Sequence, residues 1–250
     1  MNVENLIKDS LQKTQKISWE KGTPNDEQKK RKLIFPSYRV EKNEKVDEEK
    51  HKRISEQEAR FLFVRELEKP ENADFYYSVE TPTIFKYRFS ENREGKVKKI
   101  TPDIVKEKGE SGKTDVCIYD TNFNRKYLVE FKALNKDSLD FEKDFIKLKF
   151  EPKESCEPNY FVHILKSYNK GTIEGTRKNP QNSLIEKYKA AFESSVDENT
   201  KKINKITKEN EVIVFLCVLK VRKKYKPKTQ IIRFNKDDYP KKLNELLNEI

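Results

Sequence analysis

The chain of 250 residues has few cysteines: Cys117, Cys156 and Cys217 lie far apart and form no CxxC pair. That spacing leaves neither a disulfide framework nor a zinc site to propose, and it suits a reducing compartment, so a cytoplasmic protein is expected. The N-terminal stretch "MNVENLIKDSLQKTQ" lacks the apolar h-region of a secretion signal. No apolar run approaches the ~18 residues that a membrane span requires, which argues against a membrane partner. Internal repeats and low-complexity tracts are missing too, which removes repeat arrays from consideration.

What the chain has in quantity is charge, with 39% of residues Asp, Glu, Lys or Arg. Basic side chains outnumber acidic ones by 54 to 43, a formal net charge of +11. An excess of Lys and Arg favours polyanions, because neutralising phosphates releases counterions. Charge alone is permissive, since an AT-rich coding sequence produces the same bias. A 34% hydrophobic fraction in a chain of this length supports one sizeable core.

Residues 3 to 14 read as a short amphipathic helix, with Val3, Leu6, Ile7 and Leu11 near one stripe. From Gly22 to Arg53 charged runs dominate. Residues 1–53 are therefore expected to be a charged N-terminal arm with a short helix, and residues 54–250 the folded domain. The domain opens on "ISEQEARFLFVRELEKP". Here Ser55 and Glu58 have capping-box spacing, Ala59, Leu62, Phe63 and Leu67 form a stripe, and Pro70 marks the end. "DFYYSVE" and "TIFKYRF" read as strands, "TPDIVKEKGESGK" as a loop, and "SGKTDVCIYDTNFNRKYLVEFKALN" as a hairpin. "DSLDFEKDFIKLKF" reads as a helix, "NYFVHILKS" as a buried strand and "NSLIEKYKAAFESS" as another helix. "EVIVFLCVLKV" is a long central strand with "TQIIRF" as its partner, and "YPKKLNELLNEI" is a terminal helix. This order implies an α/β fold with a central mixed β-sheet flanked by helices.

The hairpin carries the chemistry. Centring its turn on "TNFN" makes residues whose numbers add to 245 face each other, so Asp115 lies opposite Glu130. Alternation adds Lys132 to that face and sends Val129, Phe131 and Ala133 to the other. Two carboxylates side by side among Leu128, Leu134 and Cys117 repel, at a cost of several kcal/mol unless protons or a cation compensate. A hard divalent ion meets that need, because Mg²⁺ takes oxygen ligands, keeps several waters and accepts phosphate oxygens.

Asp115 followed by Glu130-Phe131-Lys132 on the next strand, after a helix carrying Glu58, resembles the PD-(D/E)XK nuclease superfamily. That superfamily includes restriction endonucleases, junction resolvases and phage-defence effectors. The resemblance covers roughly residues 54 to 170 in element order and is specific only at those positions. It implies a restriction-endonuclease-like core for residues 54–250 and Mg²⁺-dependent endonuclease chemistry, with Mn²⁺ as a substitute. It further implies DNA ahead of RNA as substrate, and often a homodimer. On this likeness Asp115 and Glu130 would hold the metal with the main-chain carbonyl of Phe131, and Lys132 would act on the attacking water and the transition state. A first-helix acid, matched to Glu58, would complete the site, with Glu56 as its competitor. The chain's literal Pro-Asp pair is Pro102-Asp103, so Asp103 competes with Asp115 for the first carboxylate.

Plainer readings stand beside each of these. An E-x-K on a strand is often an exposed sheet face, and a capping box accounts for Glu58 without chemistry. "KVRKKYKPK" packs six basic residues around Tyr225 in nine positions. Lys220, Arg222, Lys223, Lys224, Tyr225, Lys226 and Lys228 therefore form a candidate nucleic-acid-binding hairpin tip, or else a solvated turn that protects an edge. His163 sits in an apolar strand and reads as a satisfied core residue. Lys143 and Lys147 lie one turn apart on the helix after the hairpin, and either reach a phosphate or face solvent. The rival function is a catalytically silent nucleic-acid-binding protein of the same fold.

Overall fold

The computed structural model describes residues 1–19, 55–92, 99–104, 110–134, 138–176, 180, 183–196, 198–203, 205, 208–221 and 228–248. Two helices precede the sheet, α1 (Val3–Trp19) and α2 (Glu56–Leu67). The strands are β1 (Tyr76–Asn92), β2 (Lys99–Ile104), β3 (Glu110–Tyr119), β4 (Arg125–Ala133), β5 (Asn159–Ser167), β6 (Val212–Val221) and β7 (Lys228–Phe234). Helix α3 (Ser138–Phe150) connects β4 to β5. Between β5 and β6 lie the short α4 (Lys170–Glu174), α5 (Leu184–Glu193) and α6 (Glu198–Ile203), and α7 (Tyr239–Leu247) follows β7.

All seven strands join one sheet in the order β2-β1-β3-β4-β5-β6-β7. β4, β5 and β6 run parallel to one another, and the remaining neighbours pair antiparallel, so the sheet is mixed. Parallel strands covered on both faces need continuous apolar runs. β5 meets that need with an unbroken buried stretch from Asn159 to Leu165.

One face of the sheet is covered by α1 and α2, whose Val3, Ile7, Leu11, Ala59 and Phe63 pack with Val129, Phe131, Val162 and Phe215. The other is covered by α3, α5 and α7, through Phe141, Phe145, Tyr188 and Leu243 against Leu128, Phe161 and Leu216. The stripe expected in residues 3 to 14 therefore exists, but it does not belong to an arm outside the core. Val3, Leu6, Ile7 and Leu11 are buried in the same cluster as the central strands, so the expected boundary at residue 53 does not separate α1 from the domain.

Three local expectations change. Ser55 is the N-cap of α2 in extended conformation, yet its side chain makes no cap hydrogen bond and its hydroxyl is buried without a partner. The expected capping box is not formed. "DFYYSVE" and "TIFKYRF" belong to one long strand, β1, whose pairing with β3 shifts between Pro82 and Lys86. Pro is tolerated at such an irregularity because no ladder N–H is needed there. "TPDI", expected in a loop, is part of the edge strand β2.

The irregularity in β1 is held by Glu151. Its carboxylate accepts from the Ile84 N–H at 2.8 Å, the Phe85 N–H at 3.1 Å, the Tyr87 hydroxyl at 2.7 Å and Arg125 at 3.1 Å. A buried carboxylate satisfied four times is a structural clamp. Among the described residues no helix is long and apolar enough to cross a membrane.

Candidate active site

The hairpin between β3 and β4 closes on Asp120. Its carboxylate accepts from the N–H groups of Asn122 and Asn124, both at 2.9 Å, and Phe123 takes a positive φ of 61°. Short Asx turns of this kind fix the register of the strands they join. Val116 pairs with Val129, Cys117 with Leu128 and Ile118 with Tyr127, each pair summing to 245 as the sequence implied.

Beyond that point the two strands part. β3 continues beside β1, with Thr114 against Thr81 and Lys113 against Pro82, while β4 continues beside β5, with Glu130 against Phe161 and Lys132 against His163. Backbone donors facing the gap need acceptors from elsewhere. The Phe131 N–H donates to Asp115 Oδ2 at 2.7 Å, and the Ala133 N–H donates to Glu56 Oε1 at 3.0 Å. Side-chain carboxylates therefore take over from the ladder where the sheet forks.

Glu130 and Lys132 share a face with Leu128, against α3. There Lys132 Nζ lies 2.6 Å from Asp144 Oδ2. Lys147 Nζ donates to Glu130 Oε1 at 2.5 Å and to the Lys113 carbonyl at 2.8 Å, and lies 3.0 Å from Asp144 Oδ1. On the other flank Arg60 of α2 donates to Asp115 Oδ1 at 2.9 Å and also pairs with Glu80. Asp115, Glu130 and Asp144 thus meet Arg60, Lys132 and Lys147 at the fork. All six side chains are largely buried, from 4% exposed at Glu130 to 21% at Arg60.

Burial and neighbouring charges shift these groups in opposite senses. It raises the Asp115 carboxyl, against the Phe131 N–H and Arg60, which pull it down. Glu130 is raised well above the ordinary range by burial, opposed by Lys147, with Asp144 and Asp115 adding to the rise. Burial lowers Lys132, but Asp144 outweighs it and the group is raised overall. Lys147 is likewise raised, burial being overcome by Glu130 and Asp144. Lys147 Nζ meets three oxygens, those of Glu130, Asp144 and the Lys113 carbonyl, a geometry that suits an ammonium donor.

The remaining candidates are placed as follows. The Phe131 side chain turns to the opposite face, 5.7 Å from the Phe63 ring, so only its main chain borders the fork. Glu58 lies on α2 with Oε2 buried and unpartnered, whereas Glu56 is the helix acid that meets β4. Asp103 is on β2 opposite Arg88, and three strand spacings of ~4.8 Å separate β2 from β4. Asp115 is thus held against β4 at the Phe131 N–H, one residue from Glu130, while Asp103 lies three strand spacings away. His163 is fully buried, its Nδ1 2.7 Å from the Tyr188 hydroxyl and its Nε2 2.8 Å from the Leu134 carbonyl. Because that carbonyl only accepts, Nε2 carries the proton. Burial lowers this imidazole to about 4, so it is neutral and anchors the end of β4.

Lys220 is the penultimate residue of β6, opposite Ser167, and Lys228 opens β7 opposite Val221. Arg222, Lys223, Lys224, Tyr225 and Lys226 lie outside the described residues. Sequence reasoning passed over Arg60 and Asp144. Asp144 was readable, as a charge inside the apolar stripe Phe141, Phe145 and Leu148.

Among the described residues no group of three or more His, Cys, Asp or Glu is arranged to hold a metal. Asp115 and Glu130 nonetheless fit a hard cation in donor type, each being a carboxylate engaged by a cationic side chain. No family model, no curated protein and no solved structure matches the chain.

Proposed function

We propose that the chain is a Mg²⁺-dependent nuclease of PD-(D/E)XK type on a restriction-endonuclease-like core, hydrolysing phosphodiester bonds of DNA. One observation carries this reading: the sheet forks between β3 and β4 where Asp115 and Glu130 face a ring of Arg60, Lys132 and Lys147. Oxygen donors for a divalent ion and cations for a phosphate are thereby brought to one place.

Asp115 and Glu130 would hold the ion, with the Phe131 carbonyl on the same strand edge as its N–H. Glu56 takes the role of the helix acid in place of Glu58. A bound divalent ion supplies activation of water and stabilisation of negative charge on phosphate. Lys132 donates N–H groups to the attacking water and to phosphate oxygens, and Asp144 fixes its direction. Arg60 provides a planar, permanently charged donor on the opposite flank. DNA as the polyanion is supported by the net charge of +11 and by the "KVRKKYKPK" segment between β6 and β7.

A second reading has its own observation: Lys147 already compensates Glu130. A catalytically silent nucleic-acid-binding protein would have such an ion pair as plain structure. Purified protein is incubated with plasmid, linear, single-stranded and branched DNA and with RNA, in Mg²⁺ or EDTA, beside Lys132→Ala. Cleavage of DNA that requires Mg²⁺ and Lys132 is the expected result. Cleavage that persists in EDTA or in Lys132→Ala defeats the mechanism, and salt-dependent binding without any cleavage favours the silent reading.

A further inference from the structure

We propose that Lys147 is the resident counter-cation of this site, and that a divalent ion reaches Glu130 only by displacing its ammonium. The inference rests on the metal-dependent reading above and specifies how that site is kept in the absence of metal.

Two carboxylates and a main-chain carbonyl surround Lys147 Nζ at 2.5, 3.0 and 2.8 Å. This is a hard-oxygen set of the kind that divalent ions take, at ligand distances of roughly 2.0–2.6 Å. An ammonium in hydrogen-bond contact with Glu130 Oε1 and a dication on the same oxygen repel strongly in so dry a place. The two cations are therefore alternatives.

The position of Lys147 is built into the fold. Its stem crosses Gly112, where an added Cβ would come within 3.2 Å of Lys147 Cδ and 3.4 Å of Thr83 Cγ2. The Lys113 carbonyl faces Lys147 because β3 has left β4 to follow β1, whose irregular stretch Glu151 clamps. Charge points the same way: Asp115, Glu130 and Asp144 each already have a cation against them, in Arg60, Lys147 and Lys132, without metal. A dication that displaces Lys147 frees an ammonium beside the metal, where a phosphate can use it.

The test is Mn²⁺ binding, followed by titration calorimetry on the full chain and on Lys147→Met, which keeps the stem length and removes the charge. Loss of binding in Glu130→Gln assigns the heat to this site. Mn²⁺ is expected to bind Lys147→Met about tenfold or more tightly than wild type, the change that ~1.4 kcal/mol of relieved competition makes. Equal or weaker binding by a folded Lys147→Met overturns the inference while leaving the metal reading intact. If neither protein binds Mn²⁺, the metal reading itself falls and this inference with it. Should Lys147→Met fail to fold, wild-type protein decides: labelling of Lys147 by an amine reagent, read by mass spectrometry, is expected to accelerate when Mn²⁺ is added. Labelling unchanged by saturating Mn²⁺ overturns the inference.

Discussion

Replacing Asp115 by Asn and by Ala separates what its carboxylate does for the fold from what its charge does at the site. In the folded chain Oδ2 accepts from the Phe131 N–H at 2.7 Å and Oδ1 from Arg60 at 2.9 Å. Asn keeps a carbonyl for the Phe131 N–H and loses the charged bond to Arg60, which retains Glu80. Against that loss, of about 1–2 kcal/mol, stands the removal of a buried charge that repels Glu130 and Asp144. The sign is set by linkage. Asp115 is raised in the folded state, so its stability contribution is present at low pH and lost as pH rises through its folded value. Asp115→Asn is therefore expected to stay within about 1 kcal/mol of wild type at pH 7. Ala also orphans the Phe131 N–H, which adds roughly 1–3 kcal/mol of destabilisation. Urea unfolding followed by circular dichroism at pH 7 measures both, and Mg²⁺-dependent cleavage should be lost in each. If Asn destabilises as much as Ala, the carboxylate is needed for its charge and not as an acceptor, and the account of the fork is wrong.

His163, lowered by burial to about 4, is neutral in the folded chain and protonates near its ordinary value once unfolded. Stability is thus expected to fall as pH drops from about 6.5 towards 4, by an amount on the order of 3 kcal/mol. Unfolding of His163→Gln across that range should show a flatter acid limb, and an unchanged slope would place the effect on other groups. Leu11 is fully buried on α1, so Leu11→Ala is expected to cost about 2–5 kcal/mol in chemical unfolding if α1 belongs to the core. A change below ~0.5 kcal/mol would return residues 1–19 to the status of an arm.

Much of the fold was legible because its strands obey strong local rules. "NYFVHILKS" and "EVIVFLCVLKV" are apolar runs too continuous for anything but covered strands, and both are internal to the sheet, the second lying one strand from its edge. The register of Val116, Cys117 and Ile118 against Val129, Leu128 and Tyr127 followed from one turn, the Asp120 hairpin, but the ladder stops short of the expected Asp115–Glu130 pair, and Asp115 meets the Phe131 N–H instead. Less was legible where tertiary contacts compete with local signals. Val3, Leu6, Ile7 and Leu11 announced a helix but not its docking, because a stripe of four residues does not say which face it covers. Ser55 and Glu58 had capping-box spacing, yet the Glu56 side chain reaches across to the Ala133 N–H, and the helix is seated by that contact instead. The fork itself has no sequence signature, since it arises from β3 following β1 past Val116 while β4 follows β5.

The expected carboxylate pair implied a compensating cation, and the described residues supply Arg60, Lys132 and Lys147. Neutralisation by Arg60, Lys132 and Lys147 removes the electrostatic need for a metal in the free protein, so carboxylate repulsion alone no longer argues for Mg²⁺. What argues for function is the expense of the arrangement. Buried ion pairs are commonly matched or bettered in stability by apolar residues of similar volume. The face that holds Glu130, Lys132, Asp144 and Lys147 is otherwise packed with Leu128, Phe141, Phe145 and Phe161, residues that would fill such a volume without charge. Six ionisable groups concentrated where two strands separate, beside an apolar core that continues on both sides, are costly as plain structure, and that cost supports the proposed site for a divalent ion and a phosphate.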